Sequence, residues 1–411
     1  MKKTHLALWL YLCINYVLSH KLNEVFSWKQ LNYDINGVFY KKNENYERRP
    51  DGLYFDDELE ERDKFFLQYN NVPIGFEYDG HRVFVTVPRR RHGIPSTLNY
   101  VRLGDKSPSL HPYAAGSKLV SVYRPRIDVC QRLWMVDTGL LEVPGERQQV
   151  QKPSIVIFDL KTDKQILKHE LKDSDLFNER TSGGLTSITV DVNKSKCNEA
   201  FAYITDLATN SIIVFSLSAK TTWRIEDPSF VFDKTALNFT VAGHTISWPD
   251  GIFSLALVDL NGRRMAYYHP LMSTNEYMID MEYLKNNSFK GNNVLLGNRG
   301  PKTQSGSHAY HEKSKTIFFA NVANDAILCW NVEKKMAPEN VAIAIQDHEK
   351  LVYISDLKVI GDEVWVLVNQ IPRFVFSTLD TKEPNYFIHS ASGNVETSQL
   401  IKKTQFRVRL V

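Results

Sequence analysis

Cysteine is scarce in this chain, four in 411 residues, and none stands in a metal spacing. There is no CxxC pair and no HExxH, so neither zinc nor another metal or cofactor is expected. A G-x-S-x-G elbow and a phosphate-binding glycine loop are also missing, which removes the usual signatures of hydrolase and nucleotide chemistry. Neither sign of charge dominates, with 50 Lys+Arg against 47 Asp+Glu, so composition gives no case for nucleic acid or an anionic membrane as partner. The one dense basic tract, PRRRH at 88–92, is short enough to read as a solvated turn. Amphipathic helical patterns of ten or more residues are rare, and after residue 18 no apolar run is long enough to span a membrane.

What is present begins at the N-terminus. Lys2 and Lys3 precede an apolar run from Leu6 to Leu18 and then Ser19, the anatomy of a secretory signal peptide over residues 1–19 with Val17 and Ser19 at the small-residue cleavage positions. The mature protein is then expected to be secreted, extracellular and without a membrane anchor. Cleavage removes Cys13 and leaves Cys130, Cys197 and Cys329. In an oxidising compartment three cysteines imply one pair and one leftover thiol. Asn193, Asn238 and Asn286 each open an N-x-[ST] sequon, suited to glycosylated surface loops.

Short apolar and aromatic runs that end in a turn residue recur along the chain. They are RVFVTVP (82–88), LWMVDTG (133–139), AFAYITD (200–206), RMAYYHP (264–270), TIFFANV (316–322) and EVWVLVN (363–369), spaced 47 to 67 residues apart, with further β-type segments between them. That period, filled by about four strands each time, predicts an all-β chain folded as a six-bladed β-propeller, one domain over residues 20–411. Leu133 to Val136 then read as an inner or second strand, and Asp137 lies where that strand reaches an end of the channel. Asp206, Asn321 or Asn324, and Asn369 hold comparable places. They form either a ring of polar groups for a ligand or cation, or simple caps on strand ends.

Several of these stretches, and others, resemble the insect Yellow and major royal jelly proteins. The likeness runs through FSWKQLNYD (26–34), VPIGFEYDGHRVFVTVPRRRHGIPSTLNYV (72–101), SPSLHPY (107–113), SVYRPRIDVCQRLWMVDTG (121–139), WPDGIFSLAL (248–257), GNRGPKTQSGSHAY (297–310), FFANVANDAILCWN (318–331) and SDLKVIGDEVWVLVNQIPRF (355–374). It covers nearly the whole mature chain in order. The resemblance implies a secreted propeller, with roles in the family ranging over melanin pigmentation and cuticle, dopachrome conversion, salivary capture of biogenic amines and royal jelly nutrition. It also implies a Cys130–Cys197 disulfide. The family's usual later cysteine has no counterpart here, which leaves Cys329 free.

Two kinds of site follow from that resemblance. A pocket at the channel for a small aromatic amine or melanin precursor needs charge, walls and hydrogen-bonding groups. Asp137 and Asp206 offer charge, Phe318 and Phe319 walls, and Thr138, Asn321, Asn324 and Asn369 polar atoms. Dopachrome conversion instead needs a base and an acid close together. Among the imidazoles, His111 and His308 fall in family-like motifs and are the candidates; each is equally readable as a structural histidine. Axial calcium, known in unrelated six-bladed propellers, would draw on Asp137, Asp206, Asn321 and Asn369, but the family likeness points elsewhere.

Overall fold

A computed structural model describes residues 22–41, 65–114 and 118–392; the expected signal peptide at 1–19 lies outside them. Six four-stranded antiparallel sheets stand in a ring. Blade one holds Gly75–Tyr78, Arg82–Thr86, Leu98–Arg102 and His111–Pro112. Blade two holds Arg126–Ile127, Arg132–Asp137, Ser154–Asp159 and Lys164–Glu170. Blade three holds Leu185–Asp191, Phe201–Asp206, Ser211–Ser216 and Thr221–Glu226. Blade four holds Ile252–Leu260, Arg263–Pro270, Asn275–Asp280 and Val294–Asn298. Blade five holds Ser305–His311, Thr316–Asn321, Ala326–Asn331 and Val341–Gln346. Blade six runs Ile354–Ile360, Glu363–Val368 and Tyr386–Ser392, and its outer strand is Asn23–Trp28 from the other end of the chain. That pairing closes the ring, so the structure is the six-bladed β-propeller that the repeat predicts.

The six recurring runs are the second strands of the six blades. A second strand has a partner strand on each side and a neighbouring blade on each face, so both of its faces are apolar and the run is continuous rather than alternating. Successive side chains still point to opposite faces. In blade five, Phe318 packs towards blade six with Val366 and Val368, whereas Phe319 packs towards blade four with Tyr267. In blade four, Tyr267 faces blade five and Tyr268 faces blade three, beside Tyr203 and Val214. Burying one such ring contributes about 2–3 kcal/mol, and each blade depends on its neighbours for that burial.

Cys130 and Cys197 form a disulfide, with Cα atoms 6.0 Å apart. It ties the turn between the first two strands of blade two to the equivalent loop of blade three. Cys329, in the third strand of blade five, is free and partly buried; burial pushes its thiol up to about 11, so it packs rather than attacks. Asn193, Asn238 and Asn286 are exposed. Among the described residues no helix is long and apolar enough to cross a membrane.

Candidate functional site

All six blades run in the same sense, so the inner strands all begin at one end of the channel. The register brings the ends of the second strands to that same end: Leu185 lies opposite Asp206, Ser305 opposite Asn321, and Ile354 opposite Val368. Loops entering the inner strands and loops leaving the second strands therefore meet at one mouth.

The strand-end residues singled out in the sequence lie at this mouth, but their side chains are turned into the backbone. Asp137 accepts from the amides of Val120 (2.9 Å), Ser121 (2.8 Å) and Gly139 (3.1 Å). Thr138 donates to Ser121 O at 3.2 Å. Asp206 accepts from the amides of Ala208 and Thr209 and pairs with Arg224 at 3.3 Å. Asn321 donates to the carbonyls of Lys302 and Gln304, and Asn369 to that of Pro73. All five are at most 1% exposed, so the expectation that they touch a ligand gives way to capping and loop crossing. Asn324 is half-buried and gives its carbonyl to Gln346. Phe318 and Phe319 lie in blade interfaces rather than on the channel wall.

The two histidine candidates lie apart. His111 is on the outer strand of blade one, stacked on Tyr100 at 5.4 Å and 3.7 Å from Asp34. The ring of His308 is fully buried, with Nε2 donating to Tyr267 O at 2.9 Å and Nδ1 accepting from Ser254 Oγ at 2.7 Å. Burial, reinforced by His269, lowers its pKa to about 3. A neutral ring with both nitrogens engaged is a structural histidine. Its neighbours His269 and Glu276 bring three ligand-type atoms within 4.8 Å of one another. Arg299 already supplies the cation there, 2.5 Å from Glu276, so the set does not fit a metal.

Different side chains converge at the mouth. Arg89 ties its loop to the carbonyls of Ile94, Pro95, Leu119 and Val120, and Arg91 lies over the ring of Phe374 at 4.3 Å. Arg90, between them, reaches to 3.6 Å from Glu142. The PRRRH tract is thus a built part of the mouth and not a solvated turn. Tyr123 donates its hydroxyl hydrogen to Glu142. Arg124 bonds to Ser355 O and Thr186 O and lies over Phe253 at 4.4 Å, forming the floor. Asp250 enters from the loop before blade four and carries the charge influence of Arg90, Arg180 and Arg124; burial nevertheless pushes its carboxyl up to about 6. Tyr353, from the loop before blade six, is close enough to feel Asp250, and burial raises its hydroxyl well above the ordinary value. An aromatic flank completes the rim: Trp248 packs edge-on to Tyr353 at 6.3 Å and stacks on Phe376 at 5.8 Å.

Among the described residues the Asp250 carboxylate, the Tyr353 hydroxyl and the Arg180 guanidinium have no hydrogen-bond or ion-pair partner. Tyr353 also holds φ at +57°, a left-handed conformation that costs a non-glycine residue about 1–2 kcal/mol. Its amide lies 3.4 Å from Asp325, which in turn takes His348 Nδ1 at 3.0 Å. Sequence reasoning missed these residues although Arg90, Tyr123, Arg124, Trp248 and Asp250 all lie in stretches it singled out. The signal was position at the same end of the channel: Arg90 follows a second strand, and the others sit just before an inner strand.

Below Arg124 the channel opens into a chamber of ≈ 210 Å³ lined by inner strands two to six. Its charges pair with one another. Lys358 Nζ is 3.4 Å from both Glu77 and Asp356, and Arg126 is 3.4 Å from Glu77. The uncompensated groups are therefore those at the mouth.

A profile described as major royal jelly protein matches residues 120–402. The chain is 40% identical to L-dopachrome tautomerase yellow-f of Drosophila melanogaster, over 89% of its own length and 90% of that protein. It is 31% identical to a dopaminechrome tautomerase of the same species, over 80% and 76%. It is 33% identical to the Yellow-related salivary protein ASP4 of Phlebotomus orientalis, over 83% and 88%. Among solved structures, a virginiamycin B lyase from Staphylococcus aureus matches with a TM-score of 0.44 and 11% identity, over 79% of this chain and 96% of that one. By its sequence the chain belongs to the Yellow and major royal jelly protein family.

Proposed function

We propose that this protein is an extracellular tautomerase of the melanin pathway, converting a dopachrome-type aminochrome at the mouth of the channel and so serving pigmentation or cuticle. The observation that carries the reading is the meeting of three unpartnered groups, Asp250, Tyr353 and Arg180, at one rim. The 40% identity to an L-dopachrome tautomerase supports it. For the location, the support is the sequence's signal-like N-terminus and the disulfide.

The reaction is an isomerisation. Two protons leave saturated carbons of the five-membered ring, and each quinone oxygen gains one; the ring carbons are oxidised as the quinone is reduced, with no external oxidant. Asp250, with a pKa of about 6, is ionised near neutrality yet basic enough to take a carbon-bound proton, the match general-base catalysis favours. Tyr353, held protonated by burial, donates to the oxygen on which charge develops. Asp250 passes its proton to solvent and Tyr353 is reprotonated. The second carbon-bound proton leaves to solvent and the second quinone oxygen takes one from it, so two protons depart, two arrive and the site returns to its starting state. Trp248 supplies a flat wall for the ring.

Capture of a biogenic amine without turnover fits the mouth less well. An ammonium would meet Arg90, Arg124 and Arg180 as well as Asp250, and this excess of positive charge suits an anion. The deciding measurement is the decay of L-dopachrome absorbance with purified protein against a boiled control. Acceleration is expected; equal rates would remove the tautomerase reading.

A further inference from the structure

We infer that Arg180 is the specificity determinant of this mouth, binding the carboxylate of a carboxylated aminochrome and so setting it above the decarboxylated counterpart. This rests on the site proposed above and deepens it. Three arginines act on Asp250 through their charge, but they are not equivalent. Arg90 is held by Glu142 at 3.6 Å. Arg124 is buried and gives its guanidinium to two backbone carbonyls. Arg180 is exposed and, among the described residues, has no ion pair or side-chain hydrogen bond, although its charge reaches Asp250.

The local chain explains how it stays there. Arg180 lies just before the short helix Thr181–Gly184 and its own amide is fixed by Asn178 Oδ1 at 2.8 Å. Gly183 packs so tightly on the mouth that a Cβ there would lie 2.8 Å from Glu142 Oε1. The segment is thus docked against the carboxylate that holds Arg90, which leaves the Arg180 side chain at the rim. A guanidinium offers two parallel N–H donors to a carboxylate, a geometry that a lone ammonium lacks.

The test compares Arg180→Gln and Arg180→Lys with the unaltered protein on L-dopachrome and on dopaminechrome, which lacks the carboxylate. Arg180→Gln is expected to raise KM for L-dopachrome roughly 10- to 100-fold more than that for dopaminechrome, with Arg180→Lys recovering part of the difference. Calorimetric titration with indole-2-carboxylate and with indole gives a readout without turnover: only the carboxylate should bind more weakly to Arg180→Gln. Equal effects on both substrates and both probes, or none, would overturn the assignment. Tighter binding of indole-2-carboxylate than indole, lost in Arg180→Gln, without turnover of either aminochrome would sink the tautomerase reading and keep the carboxylate site.

Discussion

Tyr123 donates its hydroxyl hydrogen to Glu142, and the same carboxylate stands 3.6 Å from Nε of Arg90. Glu142 thereby sets how much of the Arg90 charge reaches Asp250. Replacing it by Gln keeps a hydrogen-bond acceptor for Tyr123 but frees the guanidinium, and a stronger nearby cation favours the ionised form of Asp250. The midpoint of the acidic limb of turnover should then move to lower pH than in the unaltered protein, as read from a pH–rate profile. An unchanged midpoint would separate Arg90 from the working carboxylate.

Asp250→Asn should lower kcat for L-dopachrome by roughly 10²- to 10⁴-fold, the usual loss on removing a general base, without lowering stability. In the unaltered protein turnover should fall as pH drops through about 6. The stability sign follows from the raised pKa. A carboxyl whose folded value lies above its unfolded value of 3.8 stabilises the fold when protonated, and that contribution is lost as pH rises through about 6. At pH 7 the charged group is therefore a cost that Asn removes, and Tm of the variant should equal or exceed that of the parent. Below pH 4 the two should converge.

The ring of blades was legible because second strands are buried on both faces, and a run such as Leu133–Val136 or Phe318–Ala320 is visible without knowing its partners. The end of the channel was legible too, since those runs stop there. What could not be read was which polar residue at that end faces the axis. Asp137 and Asp250 are both aspartates beside a glycine or turn, yet Asp137 is consumed by three backbone amides, whereas Asp250 meets arginines from blades one and two and from the loop entering blade three. That difference arises from contacts between segments roughly 70 to 160 residues apart, which local spacing does not encode. His308 stayed ambiguous for the same reason: its motif showed an imidazole readable as a base or as a structural histidine, and only the packed structure shows both nitrogens engaged.

The disulfide closes a loop of 67 residues. In the chain-entropy account a loop of that size is worth about 4 kcal/mol. Cys130→Ser with Cys197→Ser should lower stability in urea by that order. The mouth should keep its chemistry, because both cysteines are in loops at the opposite end of the channel. A double variant that loses turnover while remaining folded would contradict that separation.

Arg299 is buried, with Nη1 2.5 Å from Glu276 and 2.7 Å from Asn275 O and Nη2 2.8 Å from Ser273 O. Glu276 is buried beside it, its carboxyl pushed up to about 7 by that burial. Arg299→Met leaves a carboxylate in the interface of blades four and five with its cation gone, and should cost about 3–5 kcal/mol. Adding Glu276→Gln removes the stranded charge, so the double variant should recover part of the loss. Urea denaturation of the two single variants and the double variant measures the coupling. Simple additivity would mean that the pair does not act as a unit.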